Sequence, residues 1–212
     1  MRTESFLIVG AGGHAKVVID TLRCMHGADF LLQLADDDVN LTGLFSMGMP
    51  IVTPITKALQ PGGRFHVAIG NNKVRSRTAE VCLQAKMTYH SILHPQAIVA
   101  ISAEVEAGCF VAAGAILAPE SSLSTGCIVN HGAVVDHDCH LGAFCHVAPN
   151  ATLGGGVAVG HGVLIGSGAN ILPGVSIGEE CIIGAGAVVL HDLQAGGVYV
   201  GVPAQRISEV NK

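Results

Sequence analysis

Every sixth residue from Leu93 to Val189 is Leu, Ile or Val, at seventeen consecutive positions. A repeat of six fits neither the 3.6-residue turn of a helix nor the two-residue alternation of a strand. It predicts a parallel β-helix of hexapeptide repeats, in which each hexad forms one face of a prism. The residue four places after each anchor is compact: Cys109, Ala115, Ser121, Cys127 and Ala133 early in the run, Ala169, Val175, Cys181 and Ala187 late. One large and one small inward position per hexad suit a narrow interior packed without voids. Three hexads make a coil, so residues 18 apart stack, and the run supplies a little over five coils. Gly108, Gly114, Gly126, Gly132, Gly142, Gly154, Gly160, Gly166, Gly178 and Gly184 recur where the turns fall. Glycine there predicts corners of positive φ.

The chain has 212 residues and a formal net charge of −5. With no cluster of Lys and Arg, nucleic-acid binding is disfavoured. A mean hydropathy of +0.52 reflects the six-residue period, since no apolar run is long enough to cross a bilayer. Met1 to Ser5 is polar, and Phe6 to Val9 is too short for the core of a secretion signal, so a cytoplasmic chain is expected. Five of the seven cysteines (Cys109, Cys127, Cys139, Cys145 and Cys181) occupy the small inward position. They read as buried packing residues, and with no CxxC pair a zinc knuckle has no support.

Residues 1–90 have another texture, alternating strands and helices, which predicts a small parallel-sheet α/β domain. The expected elements are strands at 5–9, 31–35, 51–52 and 65–69, and helices over 16–22, from Thr56 to Leu59 and over 75–85. His94-Pro95 opens the prism, which is expected over residues 91–192. Residues 193–212 leave the register and read as a tail with a short strand at Tyr199-Val200.

Two groups of residues carry chemistry. The loop Gly10-Ala11-Gly12-Gly13-His14-Ala15 lies between a strand and a helix and matches the loose G-x-G-x-x-[GA] pattern. Glycines that bring backbone N–H groups to a helix N-terminus form a phosphate site. A dinucleotide, a nucleotide diphosphate-sugar and a purely structural turn all fit that pattern, and Asp36 falls where a ribose-binding acid would stand. The second group is the segment from Asn130 to His140, with three His and two Asp. Val135 faces inward, so Asp136, His137 and Asp138 project outward from a corner. A histidine flanked by carboxylates suits a general base near neutral pH. Metal binding and a merely exposed corner are the competing readings. His146 lies nine residues after His137, half a coil on, and on one prism the two would face different ways.

Gly10-Ala11-Gly12-Gly13-His14-Ala15-Lys16, Ala68-Ile69-Gly70-Asn71-Asn72, Val135-Asp136-His137-Asp138-Cys139 and Gly201-Val202-Pro203-Ala204 occur in this order. Together they resemble the bacterial sugar acetyltransferases of the NeuD/PglD type, over nearly the whole chain. The resemblance implies a Rossmann-like sugar-nucleotide domain over residues 1–90 followed by a left-handed β-helix, a homotrimer with active sites between subunits, and acetyl-CoA as co-substrate with no metal. It implies that His137 is the general base and Asp138 its acidic neighbour. Asn130 then helps hold the reacting groups and His146 contacts the acetyl-CoA side. Asp36, Asp37, Gly70 and Asn71 would hold the nucleotide, while Gly12, Gly13 and His14 face the diphosphate-sugar. The CoA chain would run past Gly155, Gly166 and Gly168, where side chains are missing. The implied reaction is N-acetylation of a nucleotide-linked deoxy-amino-sugar. O-acetylation of a sialic acid is the nearest rival, and a metal-dependent prism of the γ-carbonic-anhydrase kind the remote one.

Overall fold

A computed structural model describes residues 6–210, and it divides at Pro95/Gln96 into two compact units. Ser5, the first residue of the expected strand, and the last two residues of the expected tail lie outside the described residues.

The first unit is built on β1 (Phe6–Val9), α1 (Gly13–His26), β2 (Leu32–Ala35), β3 (Phe45–Ser46), β4 (Met49–Val52), β5 (Arg64–Val67), α2 (Asn72–Gln84) and β6 (Thr88–Tyr89). The sheet order is β3-β4-β2-β1-β5-β6, parallel except for the β3–β4 hairpin. β1 is buried along its whole length, the pattern of a central parallel strand covered on both faces. α1 buries Ala15, Val18, Ile19 and Leu22, spaced as one helical stripe, and Gly27 at φ +92° ends it.

Both helices run longer than the apolar pattern predicts, because each starts within the loop that precedes it, at Gly13 and at Asn72. The helix expected from Thr56 is a single 3₁₀ turn, Ile55–Lys57. Pro54 stands before it, and Gln60-Pro61-Gly62-Gly63 leaves no room for a second turn. The β3–β4 hairpin escaped the sequence reading. Its two-residue turn, Met47-Gly48, has positive φ at both positions, and only Gly48 signals it.

The second unit is the predicted parallel β-helix. Its two-residue strands stack in steps of 18 into three sheets. The first face carries Phe110–Val111, Ile128–Val129, His146–Val147, Leu164–Ile165 and Ile182–Ile183. The second runs from Ile98–Val99 through Val134–Val135 to Val188–Val189, and the third from Glu104–Val105 through His140–Leu141 to Ser176–Ile177. All anchors from Val111 to Val189 are buried, and so is every small inward residue from Cys109 to Ala187. Val99 and Val105 are half-exposed, as expected for a terminal coil stacked on one side only. The residues after Leu193 do not trail away. Gly197–Val200 pairs in parallel with Ile182–Ile183, and Gln205–Glu209 pairs antiparallel to it, extending the first face.

The glycines need one correction. Positive φ recurs every sixth residue from Gly108 to Gly186, and Glu120, Asp138, Phe144, Asn150 and Glu180 adopt it as well as glycine. Gly142, Gly154, Gly160, Gly166, Gly178 and Gly184 are not among these positions. They follow the anchors, and a Cβ there would strike the next coil; at Gly166 it would lie 2.6 Å from the Ala185 nitrogen and the Ile183 oxygen. Close stacking of coils, rather than backbone twist, selects them.

Candidate active site

The prism corner that follows Val134–Val135 holds three polar residues in a row. The backbone N–H of His137 donates to Asp136 Oδ1 at 2.8 Å, which folds the corner back on itself. His137 Nδ1 and Asp138 Oδ2 are 2.7 Å apart. A carboxylate only accepts, so Nδ1 carries the proton and Nε2 is left as the basic nitrogen. Asp138 has φ +58°, a conformation that Asp tolerates better than most residues and that aims its side chain back at the ring. Both side chains are exposed, at 60% and 62%. The hydrogen bond to Asp138, and secondarily the charge of Asp136, raise the imidazole pKa above its ordinary value.

One coil further on, at a spacing of 18, Gly155 lies under this ring. A Cβ at Gly155 would meet His137 Cε1 at 2.5 Å and the ring's Nε2 closer still. The His137 carbonyl accepts from the Gly156 N–H at 2.8 Å, which holds the two corners in register. Gly155, expected along the CoA chain, is thus the bare floor on which the imidazole rests.

Asn130 and His146 form a second pair. Asn130 Nδ2 lies 3.3 Å from His146 Nε2. Asn130 follows the first-face strand Ile128–Val129, and His146 opens the strand stacked on it, whereas His137 sits at the corner between the second and third faces. The chain therefore brings Asn130 to His146 and His137 to Asp138 and Gly155. Gly168 is a positive-φ corner with open space where a Cβ would be, while Gly166 is filled by the neighbouring coil. His161 pairs with Glu179 at 3.2 Å on another corner, both exposed.

In the first unit the loops after β1, β2 and β5 share the carboxyl edge of adjacent parallel strands, the usual ligand crevice of such sheets. Gly10 has φ +101°, and a Cβ there would lie 2.6 Å from Ile69, so the β1 and β5 loops are packed together. Over Gly12 and Gly13 a Cβ would meet nothing, which leaves open space at the start of α1. His14 is half-buried in the first turn of that helix. Asp36 accepts from the Ala11 N–H at 2.7 Å and the Asp38 N–H at 2.9 Å. Asp37 caps the 3₁₀ turn by accepting from the Ile55 N–H at 2.8 Å. Asn71 is the N-cap of α2, accepting from the Val74 N–H at 3.0 Å beside Gly70. Each of these three side chains, expected at the nucleotide, holds loop backbone: Asp36 and Asp37 reach across to other loops, and Asn71 holds its own.

The sequence reading missed Arg75. It is fully buried and donates to the carbonyls of Ile69 and Gly70. Its signal was legible: Arg75, Ala79 and Cys82 form the buried stripe of α2, so an arginine stands on the core-facing side of a helix. Burial also pushes His66 down to about 4, while its bond to the His90 carbonyl opposes the shift and the Arg75 charge adds to it. All seven cysteines are free thiols, with Cys24 exposed and the rest buried. Among the described residues, no group of three His, Cys, Asp or Glu is placed to hold a metal ion, and no helix is long and apolar enough to cross a membrane.

A hexapeptide prism with a histidine–carboxylate pair on an open corner, preceded by a parallel-sheet domain with a phosphate-type loop, is the build of a hexapeptide-repeat transferase. Comparison with known proteins agrees. Residues 5–82 match the PglD N-terminal domain, and residues 156–191 match the bacterial transferase hexapeptide repeats. GDP-perosamine N-acetyltransferase from Caulobacter crescentus is 35% identical, over 98% of both chains, with a TM-score of 0.88. That structure is a His→Ala variant in complex with CoA and GDP-perosamine. The acetyltransferase domain of PglB from Neisseria gonorrhoeae FA1090, in complex with acetyl coenzyme A, is 33% identical over 96% of this chain and 99% of that one, with a TM-score of 0.88. UDP-N-acetylbacillosamine N-acetyltransferase from Bacillus subtilis (strain 168) is 34% identical over 112 residues, a stretch that spans 52% of each protein. The chain belongs to the PglD-type family of hexapeptide-repeat acetyltransferases.

Proposed function

We propose that this protein transfers an acetyl group from acetyl-CoA to the amino group of a nucleotide-linked deoxy-amino-sugar. The observation that carries the reading is the His137–Asp138 bond of 2.7 Å, which leaves Nε2 as the one basic nitrogen of an exposed ring on a bare glycine. The neutral sugar amine attacks the thioester carbonyl and a C–N bond forms. His137 Nε2 takes the proton that the nitrogen sheds. As the tetrahedral intermediate collapses, the C–S bond breaks and the proton passes to the departing CoA sulfur. A backbone N–H of the prism wall steadies the oxyanion.

The open loop at Gly12, Gly13 and His14 would take the diphosphate, and the loops carrying Asp36, Asp37, Gly70 and Asn71 the nucleoside. The relatives named above include a UDP-sugar and a GDP-sugar enzyme, so the family does not choose the base. The enzyme works in the cytoplasm, on this reading, as a homotrimer. His137 and His146 stand on different sides of one prism, so both reach one thioester only if neighbouring copies supply one each. The CoA arm would then follow Asn130, His146 and the open corner at Gly168.

The decisive assay incubates the protein with acetyl-CoA and UDP-, GDP-, dTDP- and CMP-linked amino-sugars, following CoA release and the mass of the product. An amide product on one of them is expected. Turnover restricted to hydroxyl acceptors would overturn the N-acetyl assignment. The shared site is tested by mixing His137→Ala with His146→Ala subunits after dissociation. Mixed trimers should exceed both parents, and no gain over two impaired parents would remove His146 from the shared site.

A further inference from the structure

Among the described residues, the largest fully buried side chain is an arginine, Arg75. Its Nη1 donates to the Ile69 carbonyl at 3.0 Å and the Gly70 carbonyl at 3.2 Å, and its Nη2 to Asn72 Oδ1 at 2.9 Å. The Arg75 backbone N–H also donates to the Asn71 carbonyl at 2.8 Å. Every residue of the loop from Ile69 to Asn72 is thus tied to this one side chain or to its backbone. Removing a guanidinium from water is costly, and an apolar residue on the buried stripe of α2 would pack there without that cost. The fork of donors explains the choice: no other side chain can hold several oxygens in one plane at fixed angles.

The tied loop follows β5, next to the loop after β1 that leaves open space over Gly12 and Gly13. Two helices, α1 and α2, begin at these loops and point their N-termini to the same edge of the sheet. The buried cation therefore lies behind the edge where backbone N–H groups are oriented for an anion. Resting on the nucleotide-sugar reading above, we infer that Arg75 is a positioning residue for the acceptor. It fixes the shape of the 69–72 loop, so that the loop meets the nucleoside diphosphate in one conformation.

Calorimetric titration with GDP, UDP, dTDP and CMP, alongside steady-state kinetics, tests this on the full chain. Arg75→Met should weaken binding of the diphosphate that the wild type prefers by about 10-fold or more, the usual worth of lost charge-assisted hydrogen bonds. KM for the nucleotide-sugar should rise in parallel. KM for acetyl-CoA and kcat at saturating sugar should stay within about 3-fold, a split that a general loss of structure would not produce. Arg75→Lys, which keeps the charge without the fork, should recover part of the affinity. A folded Arg75→Met protein that binds as the wild type does would overturn the role. If that variant does not melt cooperatively, Asn72→Ala carries the test by removing one acceptor of the fork. A several-fold weaker diphosphate affinity is expected from it, and an unchanged one would overturn the role. A wild type that binds none of GDP, UDP, dTDP and CMP would overturn the nucleotide-sugar reading first, and the positioning role with it.

Discussion

The two units hold their candidate residues in opposite ways. On the prism, His137, Asp136 and Asp138 are neighbours in sequence, exposed or (Asp136) half-exposed, and bonded to one another, while the scaffold beneath is a repeat that would stand without them. In the parallel-sheet unit, Asp36 reaches a backbone N–H 25 residues away, Asp37 one 18 residues away, and Arg75 is buried beneath its loop. A repeat with a regular inward pattern leaves its corners free to carry chemistry. An irregular crevice must spend its polar side chains on holding its own loops. Substitutions on the prism corner should therefore change rate without stability, and those in the crevice should change stability and nucleotide binding.

The sharpest break in that contrast is His137→Ala. It should lower kcat by roughly 10²–10⁴-fold, the worth of a positioned general base, with both KM values and the melting temperature little changed. A variant that keeps more than about half the rate would place the base elsewhere.

Gly155→Ala and Gly166→Ala separate two uses of one residue type. At Gly155 the added methyl meets a movable ring, so the expected loss is about 10–100-fold in kcat with melting unchanged. At Gly166 it meets backbone, so the expected loss is about 1–3 kcal/mol of stability. Denaturation curves and kinetics on both proteins would expose an exchange of the two outcomes.

Asp138→Asn probes the electrostatics of the corner, since Asn also tolerates the positive φ found there. Activity of the wild type should fall as pH drops through a histidine pKa raised by Asp138 and Asp136. In the variant the acid limb of kcat/KM should move to lower pH, and the rate at its plateau should drop roughly 10-fold or more as the tautomer is released. An unmoved limb would mean that Asp138 does not set the base.

The buried crevice side predicts a stability effect instead. His66 is held down at about 4 in the folded chain against 6.5 unfolded, so the unfolded chain takes up a proton first as pH falls. Stability is therefore lost between about pH 6.5 and pH 4, by roughly 2–3 kcal/mol. Urea midpoints at neutral pH and near pH 4.5 should differ less for His66→Gln than for the wild type. Equal pH dependence in the two proteins would show that His66 is not the titrating group. The smallest effect belongs to Cys139→Ala, whose thiol donates to the Gly154 carbonyl from an inward site. A loss of about 1 kcal/mol with normal catalysis is expected. A matching loss of rate would join the core to the chemistry.

The period of six and the inward cysteines could be read from the chain alone, because a solenoid repeats one local environment and each residue type answers to it. The His137–Asp138 pair was legible for a similar reason: its members are adjacent, and the anchor before them sets which way they point. The repeat also told which residues stack 18 apart, but not which side chain meets which backbone there, nor what the parallel-sheet unit brings together from 25 residues away. Only the stacked coils put Gly155 under the imidazole, and they separate the glycines that twist from those that merely make room. Only the folded sheet turned Asp36 and Asp37 to backbone N–H groups and drew Arg75 under its loop. Those partners are chosen by satisfying buried and half-buried polar groups across the fold, a condition on three-dimensional neighbours that no local pattern encodes.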